Sequence, residues 1–117
     1  MRTGHLYQEM SGCISDCDEC ARECTHLVTH CLNVGGAHAD AGHIRLLLDC
    51  GGICRTAAEF MARASTLHGV ICQACARVCD RCATDCERFD DDEEMAACAA
   101  ACRRCAESCR AMVHGAA

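Results

Sequence analysis

The tetrad Cys-x-x-x-Cys-x-x-Cys-x-x-x-Cys occurs three times in this chain, as Cys13-Cys17-Cys20-Cys24, Cys75-Cys79-Cys82-Cys86 and Cys98-Cys102-Cys105-Cys109. Steps of four, three and four residues keep returning to one face of an α-helix. Each copy is therefore a stripe of sulfur along a helix, not a clamp in a loop. Proline, the strongest helix breaker, is absent, which favours long uninterrupted helices. Aromatics make up only 3% of the 117 residues, so the core must be assembled from Cys, Ala, Leu, Val, Ile and Met. A chain of this length is expected to form one domain, 1–117, around one modest core.

The punctuation divides the chain into four helices. The first is predicted over about 6–32, ending at Asn33-Val34-Gly35-Gly36. The second follows Asp40, a good N-cap, and runs to about 64; the third spans roughly 68–89. Asp90-Asp91-Asp92-Glu93-Glu94 supplies a turn and an acidic, solvated start for the fourth, which continues to about 114 and stops at Gly115. Short links between helices of similar length predict an all-α fold, an antiparallel up-down-up-down four-helix bundle.

One heptad template aligns all four helices. The first contributes Leu6, Met10, Cys13, Cys17, Cys20, Cys24, Leu27 and Cys31, and the second His43, Leu47, Cys50, Cys54, Ala57 and Met61. The third adds His68, Cys72, Cys75, Cys79, Cys82, Cys86 and Phe89, and the fourth Met95, Cys98, Cys102, Cys105, Cys109 and Met112. All sixteen cysteines fall on this stripe, while Asp16, Glu19, Arg22, Asp80, Arg81, Arg103, Arg104 and Glu107 lie on the opposite, solvated side. Four such stripes can converge only on the bundle axis, giving a cysteine-lined core.

Thiols at i and i+4 lie about 5–6 Å apart at Cβ on a helix, a spacing that small rotamer changes bring to about 4.5 Å between sulfurs. That is close to twice a metal–sulfur bond of about 2.3 Å. The pairs 13/17, 20/24, 50/54, 75/79, 82/86, 98/102 and 105/109 are thus expected to be primary sites for monovalent copper, which accepts two or three soft ligands. Cys31 and Cys72 would bridge helices or guard the ends. With thiolates shared between ions, loading on the order of one ion per cysteine is chemically reasonable. Each monocation cancels one thiolate charge, so the core could fill without accumulating charge in a low dielectric. Such a column implies capacity, not catalysis.

The remaining numbers exclude other classes. A formal net charge of −6 and no Lys/Arg run argue against nucleic acid or an anionic membrane as partner. A secreted disulfide scaffold would be rich in loops, whereas these cysteines keep helical periodicity. The first ten residues carry no apolar signal core, so a reducing cytoplasm is the expected location. Ferredoxin-type clusters would end in Cys-Pro, which does not occur.

Antiparallel order sorts the other soft side chains to the two ends. Met10, Met61, His68 and Met112 gather at one, with His5 and His114 nearby, and form the expected entrance, because thioether and imidazole hold monovalent copper more weakly than thiolate. His30, Cys31, His43, Phe89 and Met95 gather at the other, where Phe89 and Leu47 are expected to form a drier plug. His43 and His68 lie on the stripe and are candidate auxiliary ligands; His26, His30 and His38 read as exposed or terminal side chains. A second apolar row on the second helix, Leu46, Ile53, Phe60 and Leu67, predicts a subunit interface, with Gly51-Gly52 allowing close approach.

The repeated Cys-x-x-x-Cys and Cys-x-x-Cys spacing, carried over essentially the whole chain, resembles the bacterial copper storage proteins. These are cysteine-rich four-helix bundles that bind many monovalent copper ions inside the bundle. The chain looks like the cytosolic members, which have no twin-arginine leader. The resemblance implies storage and sequestration of Cu(I) and a homo-oligomer, commonly a tetramer of bundles. Copper ions are the implied cargo, exchanged with a copper chaperone or a low-molecular-weight thiol. The second helix departs from the pattern, with only Cys50 and Cys54 on its stripe.

Overall fold

A computed structural model describes residues 2–115. Four α-helices, α1 Arg2–Val34, α2 Ala41–Ala62, α3 His68–Cys86 and α4 Glu93–Gly115, follow one another, with a 3₁₀ turn at Gly36–Ala39 before α2. There is no strand among the described residues. α1 packs against α2 and α4, and α3 packs against the same two, so the helices occupy the corners of a square in sequence order. The molecule measures 51 × 20 × 17 Å. Its long dimension is that of α1, since 33 helical residues rise about 50 Å.

The breaks between helices follow the expected chemistry, with shifted edges. α1 closes where Gly35 donates its N–H to the Cys31 carbonyl at 3.0 Å, and Gly35 (φ 78) and Gly36 (φ 58) take left-handed conformations suited to glycine. The Asp40 carboxylate caps α2 by accepting from the N–H groups of Gly42 (3.1 Å) and His43 (3.3 Å). α2 ends with Ala64 in the left-handed region (φ 52), its N–H donating to the Met61 carbonyl at 3.0 Å, while Ser65 reaches back to Phe60 at 2.9 Å. α3 stops at Cys86, one turn short of the predicted 89, because Glu87 to Phe89 tighten into a turn. Asp92 caps α4 through hydrogen bonds from the N–H groups of Glu94 (2.9 Å) and Met95 (3.2 Å).

Small residues flank the sulfur stripe and set the narrow cross-section. Ala21, Ala58, Ala76, Ala83, Ala99 and Ala106 are all buried where neighbouring helices meet. Gly51 belongs to this set. A Cβ there would lie 3.6 Å from Cys24 Cβ, so the close approach it permits is to α1 inside the bundle; only Gly52 faces open space. The two glycines therefore do not act together on an outer face as the sequence suggested. Outside, Arg104 pairs with Glu19 at 2.5 Å across α4 and α1, and Arg103 holds Asp80 (3.2 Å) and Glu87 (2.8 Å) across α4 and α3.

A candidate metal centre built from thiols

All sixteen cysteines are free thiols, and none is more than 2% exposed. The four stripes converge on the axis, and the core is a column of sulfur flanked by alanine and closed at its ends by Leu27, Leu47 and four buried methionines.

The hydrogen-bonded sulfur pairs run mainly between helices. Cys17 meets Cys105 at 3.5 Å and Cys109 at 3.7 Å; Cys20 meets Cys102 at 3.6 Å and Cys50 at 3.9 Å. Cys54 meets Cys79 at 3.5 Å and both Cys75 and Cys105 at 3.7 Å. Cys75–Cys79, at 3.8 Å, is the one thiol hydrogen bond along a single helix among the described residues. The i,i+4 pairs 20/24, 50/54, 75/79 and 105/109 keep their sulfurs within 4.8 Å, near the expected spacing, and the contacts across the bundle are shorter. Side chains four apart on one helix lean the same way and keep their separation, whereas a bundle this narrow brings opposing stripes into van der Waals contact.

The contacts assemble into overlapping groups whose sulfurs lie within 4.8 Å of one another: Cys13, Cys72, Cys109; Cys17, Cys75, Cys105, Cys109; Cys54, Cys75, Cys79, Cys105; Cys20, Cys50, Cys54, Cys79; and Cys20, Cys24, Cys50, Cys102. Three thiolates around one ion, at bonds of about 2.3 Å, stand about 4.0 Å apart. Each group is thus close to a coordination polyhedron before any ion arrives. Cys20, Cys50, Cys54, Cys75, Cys79, Cys105 and Cys109 each belong to two groups, so a thiolate can bridge neighbouring ions. α2, with two cysteines, supplies members of three of these groups.

The same contacts divide the protons unevenly. The S–H groups of Cys109 and then Cys17 pull the Cys105 thiol down to about 7, and those of Cys102 and Cys24 hold Cys98 at about 2. Cys20, Cys75 and Cys82 are lowered in the same way, chiefly by thiol hydrogen bonds across the core. Their neighbours are pushed the other way: Cys102 and Cys54 are raised by sharing hydrogen with Cys20 and Cys105 respectively, and burial adds to this. A buried thiolate in this core is therefore solvated by neighbouring thiols. Metal binding must release protons, and here the first to leave is replaced by donors already in place.

At the end where α1 closes, the column finishes in a mixed site. Cys31 Sγ lies 3.4 Å from His43 Nε2 and 3.6 Å from Met95 Sδ. His43 Nδ1 donates to Asp85 at 2.5 Å, which leaves Nε2 with its lone pair toward the sulfur. A carboxylate that holds an imidazole in this way fixes both tautomer and orientation for a metal. Burial, followed by the nearby charge of Asp92, raises Cys31 from 9.0 to about 11, so this thiol gives up its proton less readily than the lowered Cys98 and Cys105. Phe89 stacks 5.3 Å from the His43 ring, and Leu47 is 1% exposed, which makes this end dry as expected.

The opposite end is built from thioethers. Met10, Met61 and Met112 are buried, and a cavity of about 140 Å³ between α1 and α2 is lined by Met10, Ser11, Ile14, Met61 and Ala62. His68, the first residue of α3, donates Nδ1–H to the Ser65 carbonyl at 2.8 Å, leaving Nε2 as an acceptor. The side chains of His5, Leu6 and His114 lie outside the described residues.

Two residues that the sequence reading set aside prove to be joined. His30 and His38, expected to be exposed or terminal, are each about one-fifth exposed and both meet Asp92 Oδ2, at 2.8 and 3.0 Å. Asp92, read as part of a solvated acidic run, is held at about 2 by the His30 hydrogen bond, with help from the Met95 N–H and His38. The available signal was the N-cap position of Asp92, which turns its carboxylate inward over the end of α1.

A narrow four-helix bundle whose axis is lined by sixteen free thiols defines a class of protein built to hold soft metal ions. Within that class the chain belongs to the copper storage protein family, which it matches over residues 6–114. It is 40% identical to the uncharacterized cysteine-rich protein YhjQ of Bacillus subtilis (strain 168), over 74% of this chain and 81% of that one. Among solved structures it is similar to the Cu(I)-bound copper storage protein BsCsp3 of Bacillus subtilis, with 38% identity and a TM-score of 0.84, covering 90% of this chain and 98% of that one. It is also similar to the cytosolic copper storage protein from Streptomyces lividans, with 32% identity and a TM-score of 0.87, covering 95% and 97%.

Proposed function

We propose that this protein stores Cu(I) in the cytoplasm, as one copper-binding domain over 1–117, holding many ions on thiolates along the bundle axis and turning over no substrate. The observation that carries the reading is the set of overlapping three- and four-sulfur groups that share Cys20, Cys50, Cys54, Cys75, Cys79, Cys105 and Cys109. A shared thiolate suits a monovalent ion. One charge per ion is cancelled by one sulfur, and a buried column can fill to about one ion per cysteine while staying near neutral. Zinc in the same groups would leave the buried charge unbalanced, because four thiolates exceed one divalent ion.

In this reading the ligands are Cys13, Cys17, Cys20, Cys24, Cys31, Cys50, Cys54, Cys72, Cys75, Cys79, Cys82, Cys86, Cys98, Cys102, Cys105 and Cys109. Met10, Met61, Met112 and His68 pass ions in, and His43 supplements Cys31. Similarity to copper storage proteins, one of them Cu(I)-bound, supports the assignment. Leu48 (56% exposed) and Leu67 (59% exposed), beside the half-buried Leu46, Ile53 and Phe60, support association of copies through α2. Exchange with a chaperone or a small thiol completes the cycle.

The test is anaerobic titration of the reduced protein with Cu(I) against a chelator of known affinity, followed by circular dichroism. Uptake on the order of one ion per cysteine with unchanged helicity is the expected outcome. Saturation at one or two ions, or preference for Zn²⁺ under the same competition, would overturn the proposal.

A further inference from the structure

Outside the thiol column, at the closed end, imidazoles and carboxylates form a second cluster of different chemistry. Asp92 Oδ2 faces two imidazole nitrogens, His30 Nε2 at 2.8 Å and His38 Nε2 at 3.0 Å. The other ring nitrogen of His30, Nδ1, is in contact with Glu94 Oε2. Asp92 Oδ1 is meanwhile occupied by the N–H groups of Glu94 and Met95, so Oδ2 is held in place by the α4 cap.

A neutral imidazole carries one hydrogen. With a carboxylate against each nitrogen, His30 satisfies both only as an imidazolium, or with a cation standing in for one of its protons. Ligand atoms at cis positions of an octahedral first-row ion, with bonds of about 2.0–2.1 Å, stand about 2.9 Å apart, and those of a tetrahedral ion about 3.3–3.4 Å. The observed separations of 2.8 and 3.0 Å are those of octahedral ligand edges and within a few tenths of an ångström of tetrahedral ones.

We propose that His30 Nε2, His38 Nε2 and Asp92 Oδ2 form a binding site for a borderline divalent ion such as Zn²⁺ or Ni²⁺, with water completing its shell. Glu94 is a positioning residue: it accepts Nδ1–H of His30 and so fixes the tautomer that presents Nε2. Nitrogen and oxygen donors select divalent first-row ions, whereas the thiols behind them select a soft monovalent one. The two sites are separated by Phe89, whose ring lies 4.3 Å from His38 on one side and 5.3 Å from His43 on the other. The protein thus offers hard and soft donors at one end without mixing them. Two features make the outer site preformed: His38 comes from the 3₁₀ turn and His30 from the last turns of α1, and both are already drawn to one oxygen of the α4 cap.

The experiment is Zn²⁺ titration of the Cu(I)-loaded protein under anaerobic conditions, read by long-range ¹H–¹⁵N NMR of the imidazoles and by metal analysis after gel filtration. One retained Zn²⁺, with the Nε2 resonances of His30 and His38 shifting together while copper content stays constant, is expected. His38→Gln should weaken Zn²⁺ binding by more than about tenfold, and Glu94→Gln by about tenfold, a range usual for a group that orients a ligand. If the two histidines serve only to pin the helix cap, both variants will lower stability and leave Zn²⁺ binding unchanged. That result, or no shift of either Nε2 in the unmodified protein, overturns the proposal. The imidazole signals report this site even if the thiols take up no copper, so failure of copper storage is distinguishable from failure here.

Discussion

At the end where α1 begins, the soft side chains are buried with no carboxylate among those lining their cavity: Met10 and Met61, with Ser11, Ile14 and Ala62, around about 140 Å³. At the end where α1 closes, one soft set, Cys31, His43 and Met95, is surrounded by Asp85, Asp92, Glu94, His30 and His38. The first end has flexible thioethers around its cavity; the second has hydrogen-bonded ligands, with a cavity of about 240 Å³ outside them between His38, Arg88, Phe89 and Asp90 to Asp92. An ion at a thioether is held weakly and can move on, whereas an ion at a carboxylate-oriented imidazole is held by a ligand that cannot turn away. On the proposed reading the thioether end is the mouth and the imidazole end the stop, and the sulfur column between them fills from the former.

The sharpest way to break this contrast is at Asp85. Asp85→Asn removes the charge that holds Nδ1–H of His43, and a 10- to 100-fold loss of affinity is expected for the ions held at Cys31, of the order seen when such an orienting partner is removed. Chelator competition on the last ions to leave measures it, and the mid-column ions should be unaffected. Smaller, and at the other end, is the double variant Met61→Leu/Met112→Leu. The swap conserves volume, so stability should change by less than about 1.5 kcal/mol. Copper capacity should stay the same while loading, followed by stopped-flow with a Cu(I)–chelator complex, slows several-fold. His43→Gln should leave that rate alone. If it slows loading instead, the two ends have been assigned the wrong way round.

The smallest effect concerns how the links at each end are closed. Gly35 and Gly36 take their left-handed conformations without strain, but at the mouth the same role falls to Ala64, with φ 52. A non-glycine residue there costs about 1–2 kcal/mol, offset in part by the greater unfolded-state freedom of glycine. Ala64→Gly is thus expected to stabilise the reduced apo protein by about 1 kcal/mol in urea denaturation, while Gly35→Ala destabilises it by a similar amount.

Much of this was legible beforehand, and for one reason. Cysteine at steps of four and three marks both the helical period and the inward face, so the tetrads at Cys13, Cys75 and Cys98 predicted helices, register and core together. The helix ends were less legible. α3 stops at Cys86 because Phe89 turns in to pack on His38 and His43, contacts between residues far apart in the chain. His30, His38 and Asp92 were misread for the same reason. Each looks like a polar residue near a helix end, and only the folding back of the 3₁₀ turn over α4 gives them common ground. Gly51 shows a local version of the problem, since the sequence marks a close approach without saying to which helix.

By itself the sequence determined that the thiols share one stripe per helix, that the helices alternate in direction, and that soft side chains gather at the two ends. These follow from periodicity and from short links, which are properties of neighbours along the chain. The tertiary structure alone decided which sulfurs are partners. Rotation and spacing of the helices place Cys54 against Cys75, Cys79 and Cys105, and Cys17 against Cys105 and Cys109, in addition to i+4 neighbours such as Cys75 and Cys79. Coordination is set by distances across the bundle, and those depend on how closely alanine and glycine let the helices approach.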